Sequence, residues 1–115
     1  MRYSGGCHCG KIAFEVNGEI SGVIECNCSL CSKRGYLLWF VPRTELSLKT
    51  TEADLSAYRF NTGHIAHHFC ANCGCAPFAA ATGPDGVAMA AINIRCLDGV
   101  DPHALDIQQV DGRSR

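Results

Sequence analysis

Seven of the nine cysteines in this 115-residue chain fall into three tight clusters. Cys7 and Cys9 form a C-x-C, Cys26, Cys28 and Cys31 a C-x-C-x-x-C, and Cys70 and Cys73 a C-x-x-C followed by Gly74. Closely spaced thiolates are the ligands that a tetrahedral zinc ion takes, and seven of them suffice for two ions. Any fold of this chain has to bring remote segments to common points, and zinc chemistry is the first expectation.

Nine cysteines also suit a secreted scaffold of disulfides. Four features argue against that reading. The start, Met1-Arg2-Tyr3-Ser4-Gly5-Gly6, has no apolar core of a signal peptide. The cysteine count is odd, and 47% hydrophobic residues are enough for an ordinary core without staples. Finally, C-x-C and C-x-x-C pairs lie too close in sequence to tie distant segments, whereas both can clip one ion. Reduced, metal-bound thiols in the cytoplasm are therefore expected. The length fits one domain over residues 1–115. A net charge of -1, with Lys and Arg scattered, gives no electrostatic footprint for nucleic acid or an anionic membrane. No apolar run reaches the ~18 residues of a membrane span. The sequence does not give an oligomeric state.

Short runs of alternating β-branched and aromatic residues, bounded by Gly, Pro, Asn and Asp, predict strands. The expected segments are Lys11–Val16, Gly22–Cys26, Tyr36–Val41, Leu46–Lys49, Leu55–Phe60, Ile65–Phe69, Ala76–Ala81, Val87–Ile94 and Ile107–Val110. Turns are expected at Asn17-Gly18, Asn61-Thr62-Gly63, Gly83-Pro84-Asp85-Gly86 and Asp98-Gly99. Helix is scarce, and Pro77, Gly83, Pro84 and Gly86 break any long helix in the alanine-rich stretch Ala76–Ala91. The fold class is mainly β, with the cysteine clusters at strand ends and turns. Tyr36, Trp39 and Phe40 are expected to give the third strand its packed face.

Cys70-Ala71-Asn72-Cys73-Gly74 has the form of a zinc knuckle, in which a glycine with positive φ turns backbone N–H groups toward sulfur. The N-terminal C-x-C is the economical source of the other two ligands, and four thiolates close the shell of a structural ion. Cys26, Cys28 and Cys31 offer three thiolates and leave one position open, as catalysis requires. Three anionic sulfurs make zinc a weak Lewis acid, so chemistry on a bound thiol fits better than hydrolysis. The competing reading is a second structural ion completed by Cys75, Cys96 or a histidine. Otherwise Cys75 and Cys96 pack as small apolar side chains. Alternation puts His67 and His68 on opposite faces of a strand, one lining a cleft and the other solvated. Arg34 and His67 are the substrate-contact candidates, Arg34 because its guanidinium can receive a carboxylate in a bidentate fork.

The ordered motifs Gly5-Gly6-Cys7-His8-Cys9-Gly10, Cys26-Asn27-Cys28-Ser29-Leu30-Cys31 and His68-Phe69-Cys70-Ala71-Asn72-Cys73-Gly74 span most of the chain. Through them the chain resembles the glutathione-dependent formaldehyde-activating enzyme family, which includes the centromere protein V type domains. The resemblance implies a β-tent fold of antiparallel sheets pinned by zinc. It implies a structural zinc on Cys7, Cys9, Cys70 and Cys73 and a second zinc on Cys26, Cys28 and Cys31. The implied activity is that of a carbon-sulfur lyase joining formaldehyde to glutathione as S-hydroxymethylglutathione, with the glutathione sulfur at the second zinc. The alternative function is a zinc-stabilised binding module without catalysis.

Overall fold

Strand β2 (Ala13–Asn17) shows how the alternation is used. Phe14 and Val16 point inward and are 1% exposed, while Glu15 faces out and pairs with Arg2 at 3.3 Å and Lys49 at 3.5 Å. These surface ion pairs contribute little, and the inward pair sets the register. The computed structural model describes residues 1–59, 65–83 and 85–112. Strand β2 pairs antiparallel with β1 (Arg2–Gly6) and β5 (Leu46–Leu48) in a three-stranded sheet. The second sheet contains β3 (Val23–Cys26), β4 (Leu38–Pro42), β6 (Leu55–Tyr58), β7 (Ala66–Cys70), β8 (Phe78–Thr82), β9 (Ala88–Asn93) and β10 (Ile107–Val110). Its order is β10-β3-β4-β9-β8-β7-β6. The one α-helix among the described residues, α1 (Ser29–Arg34), follows β3 directly.

The core lies between the sheets. Phe14, Val16 and Leu46 of the small sheet meet Val23, Trp39, Val41, Phe78, Ala90 and Ile92 of the large one. Tyr3 packs edge-on against Trp39, with ring centres 5.8 Å apart. The other face of the large sheet carries a second, smaller apolar cluster of Cys31, Tyr36, Leu38, Ala79 and Ala91. Period two in β4 divides its side chains between these faces. Trp39 and Val41 enter the main core, whereas Phe40 emerges on the opposite side and is 48% exposed. Phe40 thus departs from the expected packed face.

The mainly β architecture agrees with expectation. All nine expected strands are present, with edges shifted by up to two residues. Strand β1 was not among the expected segments. One pairing departs from the antiparallel pattern, since β10 runs parallel to β3. The turn expected at Asn61-Thr62-Gly63, together with Phe60 and Pro84, lies outside the described residues. Among the described residues, no helix is long and apolar enough to cross a membrane.

Candidate metal centres and active site

The loop after β1 and the turn after β7 meet at four thiols. All nine cysteines are free, and the sulfurs of Cys7, Cys9, Cys70 and Cys73 lie within 4.8 Å of one another. Cys7 to Cys9 and Cys9 to Cys70 are each separated by 3.6 Å. Zinc–sulfur bonds of ~2.3 Å in a tetrahedron place sulfurs about 3.8 Å apart, so the spacing of this set is compatible with a zinc ion. The close approach of the two segments has a local cause. Gly5 bridges to Leu97 and Asp98 donates its N–H to the Ser4 carbonyl at 2.8 Å. A Cβ at Gly5 would strike the Cys96 carbonyl and the Phe14 ring. Cys96 and Asn93 in turn contact the Ala76 carbonyl, just beyond the knuckle.

The knuckle is built as the sequence suggested. Gly74 has φ 82° and donates to the Cys70 carbonyl at 3.0 Å. The N–H groups of Asn72 and Cys73 point at the Cys70 sulfur at 3.4 and 3.5 Å, and Ile12 N–H points at Cys7 at 3.3 Å. Such donors favour thiolate over thiol. The backbone N–H of Cys75, followed by that of Cys9, lowers Cys73 to about 5. Cys9 is lowered chiefly by the Asn72 side chain. Burial raises Cys7 to about 11.

The second group, Cys26, Cys28 and Cys31, also has its sulfurs within 4.8 Å of one another. Cys26 ends β3, Cys28 caps α1, and Cys31 is one turn into that helix. The N–H groups of Cys28 and Cys31 point at the sulfurs of Cys26 and Cys28, at 3.4 and 3.3 Å. Burial raises Cys28, but the N–H of Cys31 and the neighbouring thiols outweigh it, so its pKa is lowered. Burial first, then the Cys28 thiol, hold Cys31 far above the usual range. Among the described residues no fourth His, Cys, Asp or Glu joins this group, so Cys75 and Cys96 do not complete it. Its donor set fits zinc with one position left for another ligand.

Sequence reasoning missed Gly112. Strand β10 brings it onto the triad: Asn27 N–H donates to the Val110 carbonyl at 3.1 Å, and the Asn27 side chain donates to Asp111 at 3.0 Å. A Cβ on Gly112 would collide with the Cys26 sulfur. Only the Asp-Gly dipeptide hinted at a turn there.

A cleft of about 270 Å³ borders all three cysteines of the triad. Its floor is Ala79, Ala81 and Ala91, and Leu38, Phe40 and Met89 rise around it. His67 is 6% exposed and lines this cleft, while His68 faces the opposite side of the sheet against Phe78, at 4.9 Å between ring centres. The expected division of the two histidines holds, except that His68 is half-buried rather than solvated. Burial, followed by the nearby Arg34 charge, lowers the pKa of His67. Arg34 is not in the cleft wall. Its Nη1 donates to the Tyr36 hydroxyl at 2.6 Å and its guanidinium lies over Phe69 at 5.4 Å. Tyr36 stacks on His67 at 6.1 Å, so Arg34 bears on the cleft wall through that ring and through its charge near His67.

Comparison with known proteins supports this geometry. The chain is similar over 93% of its length to a crystal structure of a Rhodobacter sphaeroides protein, at 25% identity and a TM-score of 0.81, covering 99% of that chain. The profile described as glutathione-dependent formaldehyde-activating enzyme matches residues 2–109, which include all seven clustered cysteines. The chain therefore belongs to the glutathione-dependent formaldehyde-activating enzyme family.

Proposed function

We propose that this protein is a zinc-dependent enzyme of the carbon-sulfur lyase type that acts on thiol adducts, such as that of glutathione with formaldehyde. Cys7, Cys9, Cys70 and Cys73 hold a structural zinc, and Cys26, Cys28 and Cys31 hold a second one. The observation that carries the reading is the asymmetry between the groups. Four thiols can saturate a tetrahedral ion, whereas the three of the triad border a cleft. When bound at the triad, zinc supplies the Lewis acidity that keeps a thiol sulfur in its nucleophilic, deprotonated form.

The chain's own residues account for the rest. In the addition, a bond forms between sulfur and the carbonyl carbon, the carbonyl π pair moves to oxygen, and the thiol proton ends on that oxygen. The reverse is elimination, and neither direction involves oxidation. The thiol proton exchanges through solvent in the open cleft, while His67, kept neutral by burial and with both ring nitrogens buried, forms part of the wall against which the substrate lies. Arg34 acts as a positioning residue, fixing Tyr36 and through it the imidazole plane.

The test is metal analysis of wild type beside Cys28→Ser, with NMR exchange between glutathione and its formaldehyde adduct. We expect two zinc ions per chain to fall to one in the variant, with the fold retained and the enzymatic exchange lost. Equal metal content and equal exchange in the two proteins would refute the proposal.

A further inference from the structure

The walls of the cleft say more about the substrate than the cysteines do. The face of the large sheet opposite the main core is laid out in rows by register. His67 lies opposite Ala79, Ala79 opposite Ala91, and Ala91 opposite Phe40, while Ala81 lies opposite Met89. Alternation gives the other face of the same strands Phe78, Ala90 and Ile92, which fill the core. Alanine at the positions facing outward leaves a shallow floor where larger side chains would close the space. Around it stand Leu38, Phe40 and Met89, with the triad at one end.

No Lys, Arg, Asp or Glu lines this cleft among the described residues, and both ring nitrogens of His67, the imidazole that lines it, are buried. Glutathione carries two carboxylates and an ammonium at neutral pH. Placing them on an apolar wall without partners forfeits their hydration. An apolar surface of this extent suits a group that gains by leaving water. For scale, a cavity of roughly 150 Å³ accepts benzene, so 270 Å³ has room for about ten non-hydrogen atoms.

We infer that the site selects thiol adducts bearing a compact aliphatic or aromatic group, which lies over Ala79, Ala81 and Ala91 while the reacting sulfur is held at Cys26, Cys28 and Cys31. This rests on the proposed role of the triad. The apolar group enters either on the thiol or on the carbonyl compound, and the chemistry is the same for both. In each case the thiol sulfur bonds to the carbonyl carbon and its proton passes to the carbonyl oxygen.

Calorimetry on the zinc-loaded protein compares ethanethiol, 1-hexanethiol and glutathione. A second arm holds glutathione constant and compares formaldehyde with hexanal by NMR exchange. Each methylene is worth up to about fourfold when fully buried, and the half-open cleft should realise part of this. We expect 1-hexanethiol to bind at least tenfold tighter than ethanethiol, or hexanal to exchange at least tenfold faster than formaldehyde. The first result puts the apolar group on the thiol and the second puts it on the carbonyl compound. Ala91→Leu, which fills the floor, should erase the preference while zinc content stays unchanged. Phe40→Ala, at a half-exposed position, should weaken the preference severalfold and serves if the leucine variant fails to fold. Thiols that bind without regard to chain length, together with aldehydes that exchange alike, overturn this inference and leave the lyase reading standing. Absence of any thiol binding, in a protein holding both zinc ions, overturns both.

Discussion

Replacing Gly112 with alanine should weaken metal binding at the second site and spare the first. The added Cβ would collide with the Cys26 sulfur and would lie 3.2 Å from the Cys28 Cβ and 3.7 Å from its backbone nitrogen. Restoring an ordinary contact of about 3.5–4.0 Å requires the sulfur or the backbone to move by more than about 1 Å. The chain is poorly placed to yield, because Asn27 is bonded to both Val110 and Asp111, the two residues before the glycine. The sulfur must therefore give way. Coordination distances tolerate only about 0.2 Å, so a shift several times larger should weaken zinc at the triad by at least the roughly 10–100-fold seen when supporting groups are lost. Stability should change little, because Gly112 lies outside both apolar clusters. Chelator competition resolves the two zinc affinities, and circular dichroism follows the fold. Two zinc ions bound with wild-type affinities in Gly112→Ala would refute the reasoning.

Three further outcomes are expected. Ile92→Ala, at a position with no exposed surface near the end of β9, should cost about 2–5 kcal/mol, read as a lower urea midpoint at constant slope. Burial lowers the pKa values of both His67 and His68, so below their ordinary value near 6.5 the unfolded chain binds more protons than the folded one. Stability should rise with pH through that window and level off above it, and a His67→Gln, His68→Gln double variant should flatten the part of the urea-midpoint profile due to these rings. Burial pushes the Cys96 thiol up to about 12, so in the zinc-loaded protein it should resist iodoacetamide at pH 8. Mass spectrometry of the alkylated protein checks this.

The ligand clusters were legible because their spacing is short. Two cysteines separated by one or two residues face one point whatever the distant fold does, and the knuckle glycine marks its own turn. The strands were legible where alternation was strong, as in β2, and illegible in β1, where Gly5 and Gly6 are required by the close approach of Cys96 and Ile12 backbone. Helix α1 was hidden because a cysteine, Cys28, serves as its cap, a role usually signalled by Ser, Thr, Asp or Asn. Gly112 was invisible for a different reason. Its importance comes from a parallel pairing between β10 and β3, 84 residues apart at Gln108 and Ile24, and no local pattern encodes such a contact.

The cleft was also encoded, in a stretch whose meaning depends on strand pairing. Alanines near residues 76–91 resemble weak helix in isolation. Once β8 and β9 pair with Ala79 opposite Ala91, the same alanines become a floor whose lack of side-chain bulk is what keeps space beside the triad. Phe40 fits the same account. It stands in a strand whose neighbours Trp39 and Val41 are core residues, yet it is half exposed because it stands beside that floor. The large sheet thus divides labour between its faces. One is filled with Phe78, Ala90 and Ile92 and holds the fold together, and the other is kept thin so that the three-thiol group remains open. The four-thiol group sits where the loops leaving β1 and β7 meet, and so brings one segment from each sheet to a common point. A fourth protein ligand at the triad would close this division and leave the alanine floor without a purpose.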